Sequence, residues 1–224
     1  MKRDILDRLQ ADRDAHRSVV LATVLATGEQ RLIHLGGNDP LQAEAEQAIR
    51  SDKPATVETP DGDVFLNVFN PRLRMLIVGA VHIAQFLAPM AQMTGYEVSI
   101  IDPRQAWATP ERFPGITIID EWPDDAMDEL HPDHRTAVVT LTHDPKLDDP
   151  ALNAALGSDA FYIGSLGSTR THAKRVDRLK AAGFDDGKIG RIHAPVGLNI
   201  GAKSPAEIAV SVMGQVTAAL RGAA

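Results

Sequence analysis

The feature that most constrains this chain is a strand, glycine turn, helix and second strand within residues 74–104. An apolar run at 75–78 ends on Gly79, and a segment with apolar residues at helical spacing follows until Gly95. A second apolar run at 98–101 ends on Asp102. This succession predicts a βαβ unit. Because parallel strands need a crossover, it also predicts a parallel sheet with helices on its faces and a ligand beyond the carboxyl ends of the strands.

The turn after the first strand departs from the dinucleotide-binding pattern G-x-G-x-x-G/A. Gly79 and Ala84 fit its first and last positions, but Val81 occupies the middle one. A β-branched side chain there fills the space that lets a pyrophosphate approach the backbone, which disfavours an NAD(P) site. The helix N-terminus still offers free N–H groups, and Asp102 lies at the usual distance for a ribose-binding acid. An anion or nucleotide site at this turn therefore stays open.

The residues before this unit predict a small N-terminal α+β domain, 1–70. Helical patterns cover 3–15 and 41–49, and a turn at 27–29 joins strands 19–26 and 31–35 into a hairpin. A second turn at 60–63 pairs strands 56–59 and 64–69. We expect a packing and dimerisation element here rather than a catalytic part.

The residues after the unit predict a Rossmann-like C-terminal domain, 71–224. Strand patterns at 116–119, 137–141 and 161–163 alternate with helices, which leads us to expect a doubly wound, mostly parallel α/β sheet. The helices are expected at 122–130, 150–156, 169–182 and 206–220. The last helix begins with a capping box at Ser204, and residues 193–201 are interpreted as an apolar loop leading into it.

Composition excludes several classes of function. The 224 residues carry a formal net charge of −7 without a Lys/Arg cluster, so nucleic acid is not an expected partner. No cysteine is present, which excludes disulfides, thiolate metal sites and thiol nucleophiles and fits a cytoplasmic location. The charged N-terminus does not resemble a signal sequence, and no apolar run is long enough to suggest a membrane span.

Polar residues gather after three of the predicted strands, which a parallel sheet would bring to one edge. The glycine-serine segment after the third, Gly164 to Ser168, would let backbone N–H groups converge beside a capped helix, with Arg170 adding a charged fork. It is interpreted as a phosphate or carboxylate cradle, or else as a plain capped helix. His143-Asp144 is open as an acid/base pair, a metal pair, a clamp on a ligand, or histidine bonding to loop backbone.

Several long motifs in order make residues 70–221 resemble the XdhC/CoxI family. They are LIVG with His82, VSIIDPR at 98–104, LTHDPKLD at 141–148, YIGSLGS at 162–168, THAKR at 171–175 and HAPVGLNIGAKSPAEIA at 193–209. The resemblance implies a Rossmann-like domain in an accessory factor for molybdenum hydroxylases of the xanthine dehydrogenase or carbon monoxide dehydrogenase type. Such factors bind the molybdenum cofactor, protect it while it acquires its terminal sulfur, and deliver it to the apo-enzyme.

The resemblance also implies a set of pocket residues and partners. Molybdopterin or its dinucleotide is expected as cargo, with an apo molybdenum hydroxylase, and a cofactor sulfurase or nucleotidyltransferase, as partners. A chaperone without turnover is favoured over an enzyme, the protein is expected to form a homodimer, and no catalytic or metal residue is assigned. The cofactor-binding candidates are Gly79, His82, Asp102, Arg104, His143, Asp144, Gly167, Ser168 and Arg170.

One departure and two alternatives accompany this interpretation. Longer members carry a Gly-Gly-Cys segment, whereas Gly36-Gly37 here precedes Asn38, so no protein thiolate can hold molybdenum or sulfur in this chain. An NAD(P)-dependent oxidoreductase and a non-catalytic nucleotide-binding protein are the alternatives.

Overall fold

The computed structural model describes residues 2–223, which divide between Pro71 and Arg72 into two compact units. The first unit contains two helices and a four-stranded antiparallel sheet in the order β2-β1-β4-β3. Both predicted hairpins are confirmed, since β1 pairs with β2 and β3 with β4. Its elements are α1 (Arg3–Asp14), β1 (Val19–Val24), β2 (Gln30–His34), α2 (Gln42–Ser51), β3 (Ala55–Val57) and β4 (Val64–Phe69).

A small core holds the first unit together. The buried face of α2 presents Ala45 and Ile49 at helical spacing, and these side chains pack on Val20 and Leu66 of the sheet. The sheet is therefore covered by a helix in the α+β arrangement that the sequence predicts.

The second unit is built on a six-stranded sheet in which every described pair is parallel, in the order β10-β9-β8-β5-β6-β7. Its strands are β5 (Leu73–Val78), β6 (Tyr96–Ile101), β7 (Thr117–Ile119), β8 (Thr136–Thr140), β9 (Tyr162–Ser165) and β10 (Ile192–His193). Its helices are α3 (His82–Met93), α4 (Pro123–Leu130), α5 (Pro145–Gly157), α6 (Thr169–Ala181), α7 (Asp186–Ile189) and α8 (Pro205–Arg221).

Alternate side chains of the central strand β5 face two separate cores. Met75 and Ile77 belong to the cluster formed with α3 and α8, whereas Leu76 and Val78 belong to the cluster formed with α4, α5 and α6. A strand that is apolar on both faces must be covered on both faces. The predicted Rossmann-like, doubly wound α/β fold is confirmed.

Two local predictions were wrong. The helix expected at 150–156 begins at Pro145, because Asp144 caps it by accepting a hydrogen bond from the Lys146 N–H and Pro145 suits the first helical position. Pro150 lies inside this helix. The expected loop at 193–201 begins within a strand, since β10 continues the sheet beside β9.

The sheet reverses direction of winding between β5 and β8, which are neighbours although β6 and β7 lie between them in sequence. Gly79 follows β5 with a φ of +109°, and a Cβ placed on it would lie 2.4 Å from Thr142 Cγ2. The two connections at the reversal are thus packed directly against each other.

We predict that Gly79→Ala destabilises the protein more than Gly95→Ala does. Gly95 has a φ of +92° but nothing within 4 Å of an added Cβ, so it is a control for backbone strain alone. We expect a loss of about 1–2 kcal/mol at Gly95 and a further loss of about 1–3 kcal/mol at Gly79, where the methyl group meets Thr142. Urea unfolding of both variants measures the difference, and equal losses would contradict the packing described here.

Candidate functional site

The parallel sheet places the nine predicted site residues at one edge, after four strands. Gly79 and His82 follow β5, and Asp102 and Arg104 follow β6. The remaining five, His143, Asp144, Gly167, Ser168 and Arg170, follow β8 and β9.

Asp102 is fully buried, and its own loop and the turn after β5 occupy its carboxylate. Oδ2 accepts the Ala80 backbone N–H at 2.7 Å and Nη2 of Arg104 at 2.7 Å, while Oδ1 accepts the backbone N–H and Nε of Arg104. Burial by itself raises the pKa of Asp102, but the hydrogen bonds from Arg104 and Ala80 outweigh it and lower the pKa. This carboxylate orients the turn and has no free lone pair directed at a ribose.

The turn after β5 is also held from its other side. Nη1 of Arg112 donates to the carbonyl oxygen of Ala80 at 2.9 Å. The indole ring of Trp107 lies near two guanidinium groups, 5.7 Å from that of Arg104 and 5.5 Å from that of Arg112. His82, the first residue of α3, is exposed, and the helix has no side-chain cap.

The loop after β8 wraps around a buried carboxylate. Asp148, on the first turns of α5, accepts Thr142 Oγ1 at 2.7 Å and the backbone N–H groups of Thr142 and His143 at 3.3 and 3.1 Å. His143 has a left-handed φ of 64° and an exposed side chain, and Asp144 caps α5. The two residues of the predicted pair therefore have different local roles.

A buried ion pair connects this loop to the strand end beside it. Arg175 Nη2 lies 3.8 Å from Asp148 Oδ2 and donates to the carbonyl oxygen of Leu166 at 3.0 Å, and both charged residues are 1% exposed. Burial raises the pKa of Asp148, although hydrogen bonds from Thr142 and the charge of Arg175 act in the opposite direction. Burial lowers the pKa of Arg175.

The segment after β9 begins α6 as predicted from its glycine and serine. Gly167 has a φ of +145°, and a Cβ on it would lie 3.1 Å from Thr171 Cγ2. Ser168 accepts the backbone N–H of Thr171 at 3.2 Å and caps α6. The predicted serine cap is confirmed. Arg170 is exposed on the first turn of the helix.

A pocket of about 310 Å³, which we call the α5–α6 pocket, lies beside these two connections. From the β8–α5 side it is lined by His143, Pro145 and Asp148. From α6 the described lining residues are Arg170, Thr171, Lys174, Arg175 and Arg178. Of the nine predicted residues, His143 and Arg170 are in this lining, and the connections after β5 and β6 contribute none of the described lining residues.

Asp148 and Arg175 are site residues that the sequence-based candidates did not include, although both stand in motifs quoted for the family resemblance. A signal was present, because Asp148 precedes the buried Leu152 by four residues and Arg175 precedes the buried Leu179 by four. A charged residue on the buried stripe of a helix needs a partner or a ligand.

Two features are absent from the described residues: a cluster of metal ligands and a helix that could span a membrane. Within 2–223, no three His, Asp or Glu side chains lie close enough to hold a metal ion. None of the helices in this part of the chain combines the length and apolar character needed to cross a membrane.

A family model and several known proteins resemble this chain. The model described as the XdhC Rossmann domain matches residues 75–216. The molybdenum cofactor insertion chaperone PaoD of Escherichia coli is 34% identical over 148 residues, which are 66% of this chain and 40% of that protein. A Bacillus subtilis protein named as a probable xanthine dehydrogenase subunit is 32% identical over 167 residues, or 72% of this chain and 48% of that protein.

A third relative and one solved structure extend the comparison. The uncharacterized protein YqeB of E. coli is 30% identical over 158 residues, which cover 68% of this chain and 28% of that protein. A crystal structure of a xanthine dehydrogenase from Bacillus halodurans matches with a TM-score of 0.66 and 25% identity, over 98% of this chain and 65% of that one. The chain thus spans less than half the length of these three curated relatives.

We predict strong coupling between Asp148 and Arg175. Asp148→Asn and Arg175→Met should each lower the free energy of unfolding by about 3–5 kcal/mol, because each leaves a buried group uncompensated. The double variant should lose less than the sum. The exposed pair Asp149–Arg178, between the same two helices, is the control, and its coupling should stay below about 1 kcal/mol. Equal coupling in the two cycles, measured by urea unfolding, would contradict the prediction.

We also predict that Asp102 makes stability depend on acid pH. Because its pKa is lowered in the folded state, its contribution is present above the ordinary aspartate pKa and is lost as the pH falls through the lowered value. Asp102→Asn should therefore be less stable than the unsubstituted chain by about 2–4 kcal/mol at pH 7. The gap should narrow below about pH 4. Unfolding measured at pH 7, 5, 4 and 3 tests this, and a gap that does not change with pH would refute it.

Proposed function

The chain belongs to the XdhC family, and from this premise we propose that it is an accessory protein that binds the molybdenum cofactor and delivers it to an apo molybdenum hydroxylase. The client is an enzyme of the xanthine dehydrogenase or carbon monoxide dehydrogenase type. Two relatives support this proposal, because one is named as a molybdenum cofactor insertion chaperone and another as part of a probable xanthine dehydrogenase. The cargo is molybdopterin or its dinucleotide.

One observation carries the proposal: a pocket rich in cations lies at the carboxyl edge of the parallel sheet. Arg170, Lys174 and Arg175 line it, and the molybdenum cofactor is an anion through its phosphate or diphosphate. Ligands of doubly wound sheets bind at this edge. The proposal assigns no chemical step to the chain.

The nine sequence-derived residues have different parts in this proposal. His143 and Arg170 contact the cargo, and Gly167 and Ser168 shape the start of α6 beside it. Asp144 fixes α5, and Asp102 with Arg104 and Gly79 fixes the neighbouring turn. His82 is exposed at the start of α3, where it can approach a cargo large enough to extend along the edge.

The nicotinamide alternative receives no support from the same contacts. Its ribose-binding acid would be Asp102, whose two oxygens already accept four hydrogen bonds. Val81 adds a side chain where a pyrophosphate would approach.

A transfer experiment tests the proposal. The purified chain is incubated with molybdopterin, separated from unbound cofactor, and mixed with an apo-enzyme of the xanthine dehydrogenase type, whose substrate oxidation is followed. We expect activity to appear only with the loaded chain. The double variant Ser168→Ala/Arg170→Ala should retain at least about tenfold less cofactor, since it loses a helix cap and a charge-assisted contact.

The control for this experiment is Lys188→Ala, which removes an exposed cation on α7 outside the described lining of the pocket. It should load and transfer the cofactor like the unsubstituted chain. If the double variant retained as much cofactor as the control, this would contradict the proposed pocket. If the unsubstituted chain did not bind molybdopterin at all, this would refute the proposed function.

A further inference from the structure

The least satisfied charged group among the described residues of the pocket is the guanidinium of Arg175. Its Nη2 is satisfied by the Leu166 carbonyl and lies near Asp148, but its Nε and Nη1 atoms are buried and have no hydrogen-bond partner within residues 2–223. Arginine N–H groups are almost always paired when they are buried, so each exception calls for an explanation.

The location of the Arg175 side chain supplies an explanation for its unpaired N–H groups. Arg175 lines the α5–α6 pocket while remaining 1% exposed, so a buried guanidinium with two unpaired nitrogen atoms stands beside the pocket. The pocket also lies along the first turns of α6, a helix of thirteen residues. Backbone N–H groups and the positive end of the helix dipole add to the potential there.

The charges around the pocket do not cancel. Arg178 forms an ion pair with Asp149, and Asp148 is occupied by Arg175 and by donors from the β8–α5 loop. Arg170 and Lys174 are exposed at the mouth, and neither forms an ion pair in the part of the chain that the structure describes. Two uncompensated cations and a buried guanidinium match a ligand with two negative charges.

From these contacts we infer that the α5–α6 pocket is a phosphate site that binds the dianionic end of a phosphate monoester or diphosphate. Arg175 is the recognition group, because its guanidinium is always charged and its Nε and Nη1 atoms still have N–H groups to donate to phosphate oxygens. Arg170 and Lys174 provide charge from the solvent side. Phosphate is favoured over carboxylate because its tetrahedral oxygens can accept from Arg175 and from the mouth of the pocket together.

This inference deepens the proposed function and rests on it for the identity of the cargo, whose phosphate end would occupy the pocket. It also alters the site expected from the sequence. The cradle predicted at the glycine-serine turn is displaced toward the space between α5 and α6, where the anion contacts two side chains of α6, Lys174 and Arg175, that were not among the sequence-derived candidates.

Calorimetry with pyrophosphate and inorganic phosphate as probes, on the full chain at low ionic strength, tests the site. We expect both to bind the unsubstituted chain. Arg170→Ala/Lys174→Ala should weaken pyrophosphate binding at least tenfold, whereas Lys180→Ala/Lys188→Ala, which removes two exposed cations elsewhere, should change it less than twofold. No binding to the unsubstituted chain, or equal weakening in the two double variants, would overturn the inference.

A conservative variant tests the buried group directly. Arg175→Lys keeps a cation beside Asp148 but loses the guanidinium and its unpaired Nε and Nη1 donors. It should weaken pyrophosphate binding at least tenfold while circular dichroism shows a folded chain. Pyrophosphate binding unchanged by Arg175→Lys would overturn the assignment of Arg175. If this variant does not fold, the two double variants decide, because their substituted residues are exposed.

Two further measurements separate the site from the proposed function. Loading with molybdopterin should abolish pyrophosphate binding, and pyrophosphate binding that survives loading would mean that a free phosphate is the ligand and would overturn the link to the cargo. Cofactor transfer without phosphate binding would contradict the phosphate site but not the proposed chaperone function. Phosphate binding without cofactor transfer would support the phosphate site and contradict the proposed chaperone function.

Discussion

The ion pair between Asp148 and Arg175 is the interaction on which the functional edge of the sheet depends. Its carboxylate holds the backbone of the β8–α5 loop through Thr142 and His143, and its guanidinium holds the β9–α6 connection through the Leu166 carbonyl. Burying two charges is expensive, and a buried pair of this kind is weak evidence for net stability. Its effect here is to fix two loops in one relative position, which a well-packed apolar pair could not do because it offers no directional hydrogen bonds.

The same edge explains why the pocket lies one strand away from the point where the sheet reverses. Ligands are expected at the reversal between β5 and β8. There, however, Gly79 packs against Thr142, and Asp102 uses its carboxylate to hold Ala80 and Arg104. A pocket and the unpaired donors of Arg175 are found instead at α5 and α6, the helices that follow β8 and β9.

The sequence predicts the fold well, because the spacing of its apolar residues and the positions of its glycines indicate the same strands and helices. Strand β5 is apolar from residue 75 to residue 78, and the glycines after β5 and before β6 mark the ends of the crossover. It predicted the site less completely, because side-chain partners depend on which helices become neighbours. Arg175 belongs to a helix whose sequence is typical of a basic, exposed surface. Its spacing from Leu179 indicates that it faces inward, but nothing in the sequence identifies Asp148 as its partner. The sequence predicts too late a start for α5, because Pro150 resembles a first helical residue as closely as Pro145 does.

The division of charge within the pocket bears on how a bound anion could be released. Arg170 and Lys174 are exposed, so their attraction is screened at physiological ionic strength over about 8 Å. Arg175 is buried, and its donors act in a less polar environment where salt has little effect. In the proposed site, the exposed cations would therefore govern encounter with an anionic ligand in a chain whose net charge is −7, and the buried guanidinium would govern how long the ligand stays. A competitor for Arg170 and Lys174 would weaken the outer half of the proposed site while the buried half remained intact.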